Sequence, residues 1–102
     1  MLQKTEFIWF DGKLVPWDQA QVHVLAHGLH YGTGVFEGIR AYACPDGSSA
    51  VFRLPEHSKR LVNSAKILGI DMPYTADEIS KAIVETVVAN KLSEGYIRPL
   101  AF

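Results

Sequence analysis

The chain has a single cysteine, Cys44, among its 102 residues, so no disulfide can form within it and stability must come from packing and hydrogen bonds. Cys44 reads as a small strand residue beside a turn. No charged-then-apolar leader opens the sequence, and with the lone thiol this gives the expectation of a reducing, cytoplasmic location. No unbroken apolar run exceeds five residues, far short of the roughly 20 that a membrane helix needs. Excess charge is missing as well. The formal net charge is -1, no basic run appears, and nothing electrostatic points to a nucleic-acid partner. Internal repeats and low-complexity tracts are also absent.

What remains is globular in character: 48% hydrophobic and 21% charged residues, a balance that argues against disorder. A chain of this length suits one domain, which buries only about 65% of its unfolded surface and is marginal on its own.

Phe7 to Phe10 is an aromatic and branched run, followed by Asp11-Gly12 and Lys13 to Val15, the pattern of a tight two-stranded hairpin. Pro16 ends the second strand or places it at an edge. Trp17 to Gly28 lacks clean periodicity, and Gly28, Gly32, Gly34 and Gly38 suggest close backbone approach. One helical turn is expected near His27 to Tyr31. A long strand from Val35 to about Cys44 then meets the turn Pro45-Asp46-Gly47, with Ala50 to Arg53 as its antiparallel partner.

The second half turns helical. Leu54, Leu61, Ala65 and Leu68 fall near one stripe, with Pro55 early and Gly69 as a stop. Arg60 points away from that stripe. Thr75-Ala-Asp-Glu78 is a capping box for a second helix, in which Ile79, Ala82, Ile83, Thr86 and Val87 recur at helical spacing until about Asn90. Tyr96 to Phe102 returns to strand, with Tyr96, Arg98 and Leu100 on one face and Pro99 limiting which side can pair. The sum is an α+β fold: an antiparallel sheet of hairpins with two helices packed on one face and the other face open.

On the open face the strand after the glycines places Phe36, Gly38, Arg40 and Tyr42 together, since every second side chain of a strand shares a side. An aromatic wall, a gap and a fixed cation are not the usual contents of a core. The segment Tyr31-Gly-x-x-Val-Phe-Glu-Gly-Ile-Arg40 resembles the early signature of branched-chain amino acid aminotransferases, fold-type-IV enzymes that use pyridoxal phosphate. Ile8-Trp-Phe-x-Gly12, Phe52-Arg-Leu-x-Glu-His-x-x-Arg-Leu-x-x-Ser-Ala-Lys66 and Tyr96-Ile-Arg-Pro99 are similar to the same family in order and spacing. The resemblance runs the length of the chain, but the family's chains are several times longer.

The resemblance implies that residues 1–102 form the N-terminal small domain and that the domain bearing the cofactor lysine is absent from this chain. Lys4, Lys13, Lys59, Lys66, Lys81 and Lys91 lie outside the family's catalytic context, and an unactivated exposed lysine is a poor nucleophile. No catalytic residue is therefore expected in this chain, which alone should be inactive and bind cofactor weakly or not at all. Arg60 matches the family's phosphate-contacting arginine, a role that suits planar, permanently charged donors; the alternative is a solvated helix arginine. Tyr96 and Arg98 match the pair that holds substrate carboxylates. Tyr31, Phe36 and Gly38 match residues bounding the pocket for the substrate side chain. Arg40 joins the substrate-binding set, with a salt bridge to Glu37 or a neighbouring acid as the alternative. The implied partners are branched-chain amino acids, glutamate and their 2-oxo acids, in a homo-oligomer whose Tyr31 acts across a dimer interface. Within the family, Val35-Phe-Glu-Gly-Ile-Arg40 with Tyr96-Ile-Arg-Pro99 favours the branched-chain enzymes over D-amino acid transamination and aminodeoxychorismate cleavage.

Three other readings compete. His23, His27 and His30 have spacings that could place imidazoles on one helix face, but zinc would want further ligands and Gly28 and Gly32 weaken such a helix, so loop anchoring is the expected role. Gly32-Thr-Gly34 with Gly38 precedes a strand, the wrong order for a dinucleotide fingerprint. A non-catalytic interaction or self-associating domain derived from the family is the third.

Overall fold

The computed structural model describes residues 3–102. Seven short strands and three helices follow in chain order: β1 (Phe7–Phe10), β2 (Lys13–Pro16), α1 (His27–Tyr31), β3 (Val35–Phe36), β4 (Ile39–Ala43), β5 (Ser49–Val51), α2 (Leu54–Ile67), α3 (Ala76–Ala89), β6 (Gly95–Ile97) and β7 (Leu100–Ala101), with a 3₁₀ turn at Trp17–Gln19. The arrangement is α+β, as the sequence pattern implies. The strands form three small antiparallel ladders, β1-β2, β3-β7 and β5-β4-β6, where one sheet was the expectation.

The first hairpin forms because Asp11 and Gly12 both take positive φ, 49° and 100°, the turn whose twist matches its flanking strands. A side chain at residue 12 would meet the Tyr74 hydroxyl at 2.9 Å. Asn90 then stitches β1 to the end of α3: its Oδ1 accepts from the Phe7 amide at 2.8 Å and its Nδ2 donates to the Phe7 carbonyl at 3.0 Å, as a neighbouring strand would.

Both long helices are closed at a defined residue. Thr75 and Glu78 cap α3 reciprocally. At the end of α2 the Ile70 amide donates to Ala65 and the Gly69 amide to Lys66, with Gly69 at φ 75°, a Schellman closure. Leu68 therefore lies beyond the last turn and is exposed; the buried stripe ends at Ala65. The buried Ser58 hydroxyl meets that of Ser80 at 2.7 Å, tying α2 to α3.

The core joins Ile39 from β4, Leu61 from α2, and Ile79 and Ile83 from α3, with Val35, Val51, Val62, Tyr74 and Ile97 packed around them. Along residues 35–42 burial alternates strictly: Glu37, Ile39 and Ala41 are buried while Phe36, Gly38, Arg40 and Tyr42 are exposed. The period of two survives although the expected long strand is split into β3 and β4. Ile39→Ala should lower the unfolding free energy by about 3 kcal/mol, as for other large-to-small core changes. Arg40→Ala, one residue along, should leave the urea midpoint nearly unchanged. Equal shifts in the two would show that the faces are assigned wrongly.

Candidate functional site

The open face is built by two interrupted strands lying side by side. Val35 and Phe36 pair with Ala101 and Leu100, and Ile39, Arg40 and Ala41 pair with Ile97, Tyr96 and Gly95, so the register is the same on both sides of the break. Across the break the Glu37 amide still donates to the Pro99 carbonyl at 3.1 Å. Proline has no N–H to complete the ladder, which explains why regular pairing lapses there.

The lapse creates room. A Cβ built on Gly38 would overlap the Tyr96 hydroxyl and lie 3.1 Å from its Cζ, so only glycine lets that ring fold across the strand. Arg98 Nη2 donates to the Tyr96 hydroxyl at 2.8 Å, and the guanidinium carbon lies 4.2 Å from the centre of the Phe36 ring, close enough for a cation–π attraction. Phe36, Gly38, Tyr96 and Arg98 thus form one cluster. The Tyr96 oxygen accepts from Arg98, which leaves its own hydrogen to donate outward. Arg98 keeps further N–H groups in the same region. A carboxylate would meet a hydroxyl and a guanidinium together, the charge-assisted geometry that binds such groups most strongly.

From Phe36 an apolar groove of about 280 Å³ runs along Leu29, Leu100 and Phe102. Hydrophobic walls beside a few fixed polar donors are the usual make-up of a small-molecule site. Leu100 was expected on this face with Tyr96 and Arg98, while Leu29 and Phe102 carry no motif and were not singled out from the sequence.

Arg40 is opposite Tyr96 in the ladder and its side chain is exposed. It does not pair with Glu37, because that carboxylate goes to Arg60. Arg60 donates from Nε to both carboxylate oxygens at 3.0 and 2.9 Å and from Nη2 to Oε1 at 2.8 Å. His57 Nδ1 stands 2.7 Å from the same oxygen and donates to it, since an ionised carboxylate can only accept. His57 and Arg60 are three apart on α2 and so neighbours on its surface. The Arg60 side chain is 68% exposed while that of Glu37 is 4% exposed. One edge of the guanidinium is therefore locked into the protein and the other is open to an oxyanion.

The Arg60 hydrogen bonds hold the Glu37 carboxyl below the usual glutamate range; burial pushes the other way, and the His57 hydrogen bond adds to the lowering. Glu37 and His57 were absent from the sequence-derived set of site residues. A signal was available: an acid at the inward position of an alternating strand requires a buried partner.

Tyr31 is 72% exposed, and its ring lies 4.5 Å from that of His27 and 6.4 Å from that of His30. The three histidines of this region each fasten a loop: His23 Nδ1 accepts from the Leu25 amide at 3.0 Å, His27 contacts the Thr33 hydroxyl at 2.8 Å, and His30 contacts the Val24 carbonyl at 2.8 Å.

The sequence model of the family described as amino-transferase class IV matches residues 34–102. The branched-chain-amino-acid aminotransferase of Pseudomonas aeruginosa is 50% identical over 102 residues, which is 100% of this chain and 33% of that protein. Among solved structures, the branched-chain aminotransferase of Thermoproteus uzoniensis with norvaline is 53% identical, with a TM-score of 0.91 over 97% of this chain and 33% of that one. The T.th. branched-chain amino acid aminotransferase complexed with N-(5'-phosphopyridoxyl)-L-glutamate is 49% identical, with a TM-score of 0.93 and the same coverage. The chain spans about a third of the length of the curated relatives it matches.

Because Glu37 titrates low, its contribution to stability is complete at neutral pH and is lost as pH falls through the lowered folded-state value, the direction expected for a depressed carboxyl. A carbon-detected NMR titration of the Glu37 carboxyl should find its midpoint below that of an exposed glutamate. Arg60→Ala should move the midpoint up. A midpoint indifferent to Arg60 would contradict the ion pair as its main cause.

Proposed function

The chain belongs to the class IV amino-transferase family, and from that premise we propose that it forms the N-terminal small domain of a branched-chain amino acid aminotransferase. The whole protein would transfer the amino group of leucine, isoleucine or valine to 2-oxoglutarate. The observation that carries this reading is the cluster of Phe36, Gly38, Tyr96 and Arg98, in which a hydroxyl and a guanidinium stand beside Phe36, itself a wall of an apolar groove. Such an enzyme must accept an aliphatic side chain in one half-reaction and a carboxylate side chain in the other. An apolar wall interrupted by a single fixed cation meets both demands, because Arg98 is already held by Tyr96 and Phe36 and needs no large rearrangement to receive an anion.

The expected cofactor is pyridoxal phosphate, which supplies the electron sink that lets an amino group leave one carbon skeleton for another. The donor set of this chain fits its phosphate: the outward edge of Arg60 offers planar, permanently charged N–H groups while Glu37 fixes the inner edge. Tyr96 and Arg98 would hold substrate carboxylates, and Tyr31, Phe36, Gly38 and Arg40 would line the remainder of the substrate site. The cofactor-bearing lysine is assigned to a part of the protein outside residues 1–102, so this chain alone is expected to be inactive. Tyr31, with exposed Val24, Leu25 and Leu29 beside it in sequence, supports a homo-oligomer in which this segment meets a second subunit. Those residues equally favour the second reading, a self-associating domain without catalysis. A cytoplasmic location completes the proposal.

In a full-length enzyme carrying this segment, Arg98→Ala should reduce kcat/KM for glutamate on the order of 100-fold more than for leucine, the discrimination lost when a charged site group is removed. Equal losses for the two substrates would remove Arg98 from side-chain recognition. Arg60→Ala should chiefly weaken cofactor retention, read as the dissociation constant for pyridoxal phosphate.

A further inference from the structure

Glu37 is the only buried charged side chain among the described residues, and substrate binding does not account for it. A guanidinium carries five N–H groups in one plane. Glu37 takes the Nε hydrogen and one Nη2 hydrogen of Arg60. Both Nη1 hydrogens and the second on Nη2 remain, all directed away from the carboxylate. The carboxylate cannot swing, since it is buried in the strand break and held by His57 on Oε1. An arginine side chain of many rotamers is thereby reduced to one plane with three outward donors.

We propose that Glu37 is a positioning residue for the cofactor phosphate: it orients the Arg60 guanidinium toward the anion, and His57 in turn orients Glu37. The proposal rests on the reading of Arg60 as the phosphate-binding arginine. It makes a claim that charge alone would reverse. An acid beside Arg60 offsets part of the positive charge, so by Coulomb attraction its removal should tighten phosphate binding. By positioning, its removal should loosen binding, because the anion must then bear the entropy of ordering a long side chain.

The test uses a full-length enzyme carrying this segment, freed of cofactor and titrated with pyridoxal phosphate and, separately, with pyridoxal lacking the phosphate. The readout is the ratio of the two dissociation constants in wild type, Glu37→Gln, Arg60→Ala and the double variant. Glu37→Gln should lower the preference for the phosphorylated form about tenfold, the scale of one charge-assisted hydrogen bond, and should add nothing once Arg60 is alanine. A general loss of structure would weaken both ligands and leave the ratio unchanged. An unchanged or increased ratio in Glu37→Gln, with the ratio still falling in Arg60→Ala, overturns the positioning role alone. A ratio unmoved by Arg60→Ala overturns both that role and the phosphate assignment beneath it. Should Glu37→Gln fail to fold, His57→Phe frees the carboxylate without removing it; it should lower the ratio about two- to threefold, and an unchanged ratio there overturns the proposal equally.

Discussion

A carboxylate inside a protein must be paired and hydrogen-bonded or it will not stay charged, and the Glu37 carboxylate sets the layout of this chain. It lies where the ladder of the open face lapses, and its partners both come from one face of α2. Leu61, next to Arg60 and four residues after His57, enters the core. The same helical turn therefore supplies a packing anchor and two donors. Because the anchor is buried and the donors are fixed relative to it, the strand break at residues 37–38 has a defined place against the helix. Phe36 and Gly38 flank Glu37 in the chain, so the outward residues inherit their position from an inward ion pair.

On the outer face preorganisation arises in the same way. Arg98 is held between a hydroxyl and an aromatic ring, and Tyr96 folds over the one residue that has no side chain to obstruct it. Arg60 and Arg98 thus each have one side committed to the protein and another available to a ligand. Long basic side chains carry much rotamer freedom. Restricting them before a ligand arrives reduces what binding must order. The contrast with Arg40 is instructive: it shares the ladder with Tyr96, and Glu37, an acid considered as its alternative partner, is committed to Arg60.

Much of this was legible where one residue type has one physical use. Asp11-Gly12 specified its hairpin because two successive positive φ values suit few residue pairs. Thr75 and Glu78 specified a helix start because their reciprocal bonds satisfy amides that would otherwise lack partners. Strand alternation correctly separated Phe36, Gly38, Arg40 and Tyr42 from the core. The break between β3 and β4 was not legible, since the side-chain period continues through it and only the backbone pairing lapses, at a proline on the opposite strand. Leu68 was misplaced because the stripe was carried onto the C-cap residue, one past the helix end at Ile67, where the closure at Gly69 turns the chain away. The partners of Glu37 were also hidden: His57 and Arg60 lie about twenty residues away on α2, and only tertiary packing brings them to the acid.

That selection bears on how the site and the fold are related. An arginine free in solvent would bind an anion by charge alone, and an arginine wholly buried with its acid could bind none. Arg60 lies between these limits, with its acid inside and most of its own side chain outside. The ion pair can then stabilise the fold while leaving donors for a ligand, provided that the acid stays ionised. The Arg60 hydrogen bonds themselves keep it so, by lowering the Glu37 carboxyl against the opposing effect of burial. The strand break, the inward acid and the half-exposed cation form one arrangement, and each requires the other two.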